Sequence, residues 1–244
     1  MQESFGFARL EIDAWRFALT GHFGPIPDVP RRPPHAQMVK SLISSRTKDA
    51  VSLAAYRRLG RKWPSALQLA GAAPPHVEKV IHDVTFADRK AVNLPAALRM
   101  IARESGDLRL DFLGNWPVPD ALAWLERLPG VGRKVAAATL NASTLRRPVF
   151  IVDSHVHRVL QRLGYIGRAA TPRPASEKVT ASGLDAEELN SFFIHLKHLG
   201  QTVCRFESPD CAACPLSTSC PKIISPNASL QRKRESQHTL HPDA

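Results

Sequence analysis

Cysteine is nearly absent from this chain. None precedes Cys204, and the four present, Cys204, Cys211, Cys214 and Cys220, crowd into one short stretch. No apolar run approaches the length of a bilayer-spanning helix, so no membrane partner is expected. The start, Met1-Gln-Glu-Ser4, is acidic and lacks an apolar core, so no secretory signal is read there. These absences imply an intracellular, reducing location and argue against two structural disulfides. Long alternating apolar and polar runs are also missing, which leaves little room for sheet. Acidic residues are outnumbered, 22 against 33 Lys and Arg, giving a net charge of +11 and a pI near 10.0. That surplus suits a polyanion, most simply nucleic acid, beside the plainer reading of a soluble basic surface.

What is present reads as nearly all helix. The 244 residues are 43% hydrophobic, enough for one large domain or two small ones with a real core. Apolar residues recur at spacings of three and four. The pattern predicts helices over 9–23, 35–45, 49–59, 64–70, 75–84, 89–104, 119–128, 133–143, 154–163 and 187–199. Pro119 suits a first helical turn, and Asp120 suits the positive end of the helix dipole. Gly24 to Pro34 is a proline-rich connector without regular structure. From Ser225 to Ala244 the composition turns polar and predicts a disordered tail, in which Arg232-Lys-Arg234 could add phosphate attraction.

Three features carry chemistry. The cysteines read C-x6-C-x2-C-x5-C, a tetradentate thiolate set for a soft metal centre. Structural zinc usually takes two short-spaced pairs; here only Cys211 and Cys214 form one, so the spacing suits a cubane better than a single tetrahedral ion. His195 and His198 are unneeded as ligands and fall on the preceding helix. The second feature is Leu128-Pro-Gly-Val-Gly-Arg-Lys134 between two helices. Gly130 and Gly132 permit a tight turn, and the first amides of the second helix then point outward to receive a phosphate oxygen. An ordinary αα-hairpin would look similar. Lys134 falls in the first helical turn, where the dipole and Arg133 both disfavour its ammonium, so it reads either as an activated amine or as a phosphate contact. The third feature is Asp153, after the apolar run 149–152 and before a helix. It is an N-cap by position, or a carboxylate that also faces Lys134 and stabilises developing charge. His155 and His157 are assigned to packing or backbone bonding.

Taken together, LPGVGRK, VDSH and the cysteine spacing resemble the endonuclease III family of helix-hairpin-helix DNA glycosylases. The resemblance runs from about Leu10 to Pro221. It implies an all-α fold with a six-helix barrel domain over 33–145, including a hairpin motif at about 119–144. It also implies a [4Fe–4S] cluster domain over 1–32 and 146–224, held by Cys204, Cys211, Cys214 and Cys220. The catalytic lysine falls on Lys134 and the catalytic aspartate on Asp153. The implied protein is a monomer, cytoplasmic and nucleoid-associated in a bacterium, whose partner is double-stranded DNA containing damaged bases or abasic sites.

The implied reaction removes a damaged base, an oxidised pyrimidine as first choice, and cleaves the strand through a lysine Schiff base. A lyase-bearing glycosylase for another base, or a non-catalytic metal-stabilised DNA-binding module, are the alternatives. The resemblance assigns DNA contact to Arg46, Phe86, Gly130, Val131, Gly132 and Arg133. Phe86 would be a wedge inserted between bases, and Arg46 stands where the family often has glutamine. One extra residue lies between Lys134 and Asp153, around Leu145-Arg-Arg-Pro148. The cysteine-loop stretch 205–210 is less basic than the family pattern.

Overall fold

The computed structural model describes residues 2–223, with side chains from residue 9 onward. The expected tail, with Arg232 to Arg234, lies outside the described residues. Eleven α-helices follow one another among them: α1 Gln2–Phe23, α2 Pro34–Ser44, α3 Asp49–Lys62, α4 Ala66–Ala70, α5 Pro74–Val80, α6 Ala87–Ser105, α7 Val118–Glu126, α8 Arg133–Asn141, α9 Ser154–Arg162, α10 Pro172–Thr180 and α11 Ala186–Thr202. No strand occurs among the described residues. An isolated bridge, Arg32 to Ser143, ties the proline-rich connector to the chain after α8.

Local chemistry sets the helix ends. Prolines open α2, α5, α7 and α10, where their missing N–H has no helical partner to lose. Capping boxes start α4, from Ser65 and Gln68, and α11, from Asp185 and Glu188. Gly106 stops α6 with a left-handed residue. Two expectations need correction. The segment read as helix to Val84 leaves helix at Val80, because Ile81 and Val84 both turn into the core. The helix α10 was not foreseen: Pro172 and Pro174 look like loop residues, yet both sit in a first turn that tolerates them.

Buried side chains separate into two clusters. The first joins α2 through α8 around residues such as Met38, Ile43, Leu94, Leu98, Leu125 and Ala136. The second joins α1, α9, α10 and α11 around Ile12, Trp15, Phe150, Leu160, Phe192 and Leu196. Phe193 packs against both. Asp49 at the start of α3 accepts from Lys197 Nζ at 2.7 and 2.8 Å and from Gln201 at 2.9 Å, both on α11. These bonds pin the edge of one cluster to the other.

Candidate active site and thiolate pocket

The hairpin is built as expected, but its two glycines differ. Gly130 has φ of +76°, and a Cβ there would meet the Asn93 side chain of α6 at 2.9 Å. It is required by both backbone angle and close approach. Gly132 is the N-cap of α8, in extended backbone, and a Cβ on it would meet nothing within 4 Å. It gives α8 no side-chain cap, so the first-turn amides are open to an external acceptor. Val131 between them is buried. The Arg133 guanidinium is occupied: it lies 2.9 Å from Glu126 and 3.4 Å from Glu177 of α10. What Arg133 offers a phosphate is therefore its backbone N–H.

Lys134 projects from the first turn of α8 toward α2. Its Nζ donates to Ser44 Oγ at 3.1 Å, with Ser41 O at 3.5 Å. Burial is the main cause that pushes its pKa down to about 8; Lys197 and Lys40 push the same way, while Asp153 and Asp49 oppose. Arg133 is not among the causes, so its expected role in activating the amine is corrected: its charge is already answered by two carboxylates. Lys40 is itself held low by burial and donates to Ser52 Oγ at 3.2 Å.

Asp153 takes the N-cap position expected for it. Its Oδ1 accepts from the N–H groups of His155 and Val156, each at 2.9 Å, and so caps α9. Held there, it lies beyond ion-pairing distance of Lys134, yet its charge is felt by the amine. His157 bonds Ala170 O at 2.7 Å, a backbone role. His195 is buried on α11 and bonds Gly24 O at 3.0 Å.

Arg46 and Phe86 come together although forty residues separate them. The Arg46 guanidinium carbon sits 5.9 Å from the centre of the Phe86 ring, with Arg89 at 5.7 Å. Phe86 is 45% exposed. Both residues are left-handed, Arg46 at φ of 56° and Phe86 at 58°.

The four cysteines are all free thiols, partly buried, lining one pocket with Arg162, Pro209, Asp210, Ser217 and Lys222. Arg162 Nη1 donates to Cys204 Sγ at 3.3 Å, and the Lys222 N–H donates to Cys220 Sγ at 3.3 Å. The same guanidinium holds the carbonyls of Arg205 at 2.6 Å and Phe206 at 2.7 Å. Burial, and after it the neighbouring thiols, raise the pKa of Cys214 and Cys220. Such mutual repulsion is relieved when a cationic centre takes the thiolates. Among the described residues, no three His, Cys, Asp or Glu converge as a single-ion site.

The profile of the HhH-GPD superfamily base excision DNA repair proteins matches residues 39–182. Endonuclease III of Synechocystis sp. is 30% identical over 184 residues, covering 75% of this chain and 79% of that protein. The chain belongs to the endonuclease III family. Endonuclease III homolog 1, chloroplastic, of Arabidopsis thaliana is 31% identical over 225 residues, covering 87% of this chain. The chain spans 56% of the length of that relative. A solved structure of a trapped endonuclease III–DNA covalent intermediate superposes with a TM-score of 0.74 at 21% identity, covering 92% of this chain and 98% of that one. The helix-hairpin-helix glycosylase fold expected from the sequence is therefore present.

After α8 the chain closes in a turn, in which the Arg146 N–H donates to Ser143 O at 3.2 Å. Arg146 takes a left-handed φ of 46°, and Arg147 then reaches the carbonyls of Gly114 and, at 2.8 Å, Trp116. Asp153 lies within electrostatic reach of Lys134. Sequence reading missed Lys40, Asp49 and Lys197, which surround Lys134 with charge. Each looks like a solvated helix residue, and only the clustering of basic residues hinted at them. A hollow of about 690 Å³ lined by Arg58, Arg61, Lys62, Trp63, His76 and Lys79 lies between α3 and α5 and includes none of the expected catalytic groups.

Proposed function

We propose that this protein is a DNA glycosylase and abasic-site lyase of base excision repair. The observation that carries the reading is Lys134: a half-buried amine, pushed down to about 8, at the mouth of an uncapped hairpin with Asp153 in electrostatic reach. An amine so placed is a nucleophile near neutral pH. Lys134 Nζ bonds to the sugar C1′ as the C1′–base bond breaks, and the departing base takes up the proton that the alkylated Nζ sheds. Asp153 stabilises the positive charge that develops on the sugar. Ring opening gives an imine, loss of a C2′ proton follows, and the C3′–O bond breaks.

The uncapped amides of α8 would hold the DNA backbone without reading sequence. Arg46 and Phe86 would fill the space left by the extruded nucleotide. Cys204, Cys211, Cys214 and Cys220 would hold a [4Fe–4S] cluster; the shared thiol-lined pocket and two N–H···S bonds fit that group. Bound there, it supplies a structural anchor for 204–220, not a reacting group. The two buried clusters would correspond to a barrel domain over 33–145 and a cluster domain over 1–32 and 146–224. An oxidised pyrimidine is the first choice of lesion.

Borohydride trapping on an abasic duplex tests the chemistry. Wild type should become covalently attached, and Lys134→Gln should not while still binding the duplex. Trapping of Lys134→Gln at the wild-type rate would place the nucleophile elsewhere. A panel of oxidised, deaminated and mismatched bases then identifies the lesion.

A further inference from the structure

Lys90 is 7% exposed, on the inner face of α6, and no carboxylate offsets its burial. Burying an ammonium is unfavourable unless its three N–H groups are fully used. They are: Nζ donates to Ile43 O at 3.0 Å, Ser45 O at 2.6 Å and Thr47 Oγ1 at 3.4 Å. Ser45 and Thr47 flank Arg46. The same lysine's backbone N–H donates to Phe86 O at 3.0 Å, and Thr47 Oγ1 accepts from Thr85 N at 3.2 Å. The ammonium thus grips the chain on both sides of Arg46, and Thr47 links that grip to Thr85, the neighbour of Phe86. Arg46 and Phe86 are the two left-handed non-glycine residues of this region, each in a conformation that is unfavourable unless its surroundings enforce it.

Packing alone would not need a lysine here, since methionine fills the same volume without a charge to satisfy. We propose that Lys90 is a positioning residue that clamps Arg46 and Phe86 into a single two-pronged probe, which enters the base stack when a nucleotide is extruded. It touches neither the sugar nor the base. This rests on the glycosylase reading above and adds to it the group that sets the probe's geometry.

The test compares a continuous duplex with one in which nothing opposes the lesion. Lys90→Met should slow imine trapping on an abasic site within an intact duplex by about tenfold or more, the scale of a misplaced positioning group. Trapping on an abasic site opposite a one-nucleotide gap should stay near wild type, because no opposite base needs to be held apart. In parallel, 2-aminopurine opposite a non-cleavable abasic analogue should brighten when wild type binds, and much less with Lys90→Met. Equal losses on both substrates, or an unchanged fluorescence rise, would overturn the proposal by showing a merely structural role. If Lys90→Met does not fold, Thr47→Val decides: it keeps the lysine, breaks the link to Thr85 and should show the same split in weaker form. No split would sink the clamp. Wild type that brightens the probe but never forms an imine would refute the lyase reading alone, and the fluorescence contrast would still judge Lys90.

Discussion

The pKa of Lys134 can be read directly from a pH profile. At pH 7 an amine with its pKa near 8 is about 10% neutral, against roughly 0.03% at the ordinary 10.5. Burial therefore multiplies the reactive form about 300-fold at neutral pH. Single-turnover cyanoborohydride trapping on a pre-formed abasic duplex, from pH 6 to 10, should rise to a plateau with a midpoint near 8. Below the midpoint it should fall about tenfold per pH unit. Asp153→Asn sharpens the test. Asp153 raises the pKa of Lys134, so removing its charge should move the midpoint below 8. The variant should then trap a pre-formed abasic site relatively better at pH 6.5, measured against its own plateau, while losing most base removal from an intact lesion. A wild-type midpoint near 10 would show that the amine is not desolvated. An upward move in Asp153→Asn would show that the carboxylate does not act on the lysine.

Other outcomes follow from the same geometry. Because burial depresses the pKa of Lys134, the folded state carries a penalty at every pH below about 8 and sheds it toward 10.5; Lys134→Met should therefore stabilise the fold at pH 7, by up to about 3 kcal/mol before discounting its partial exposure, and unfold at a higher temperature. Gly130→Ala should destabilise by about 1–3 kcal/mol through strain and the Asn93 clash, whereas Gly132→Ala should stay within about 0.5 kcal/mol and weaken duplex binding, as unfolding curves and a binding titration will show. Anaerobically purified protein should be yellow-brown with about four irons per chain; colourless protein with stoichiometric zinc would overturn the cluster assignment. Replacing any of the four cysteines by serine should lower both iron content and soluble yield.

The helices were legible because their signals are local. Caps such as Asp153, prolines in first turns and the three-and-four periodicity lie within a few residues of what they determine. Lys134 stood out because it follows a glycine turn, and Asp153 because it separates an apolar run from a helix start. What the sequence concealed was long-range. Glu177 and Arg133 are forty-four residues apart, so the occupied guanidinium could not be foreseen. Lys90 reads as one more polar helix position until α2 closes over it. The two glycines of the hairpin look alike in the chain, and only the approach of Asn93 separates them. For α10 the failure was one of prior: proline is counted as a breaker, although a first turn has no N–H bond for it to break.

The two buried clusters also bear on how the chain acquires its structure during synthesis. The first draws on residues between Met38 and Ile151, a contiguous stretch that can close while the remainder is still on the ribosome. The second unites Ile12, Trp15 and Leu19 of α1 with partners that begin at Phe150 and end at Leu216. At about 5–20 residues per second, the apolar face of α1 waits on the order of ten seconds for its partners to emerge. For that interval it is an exposed hydrophobic surface in a crowded cell. The helix α1, made long before its partners, is thus among the last to be sheltered, and a holding chaperone has its natural target there.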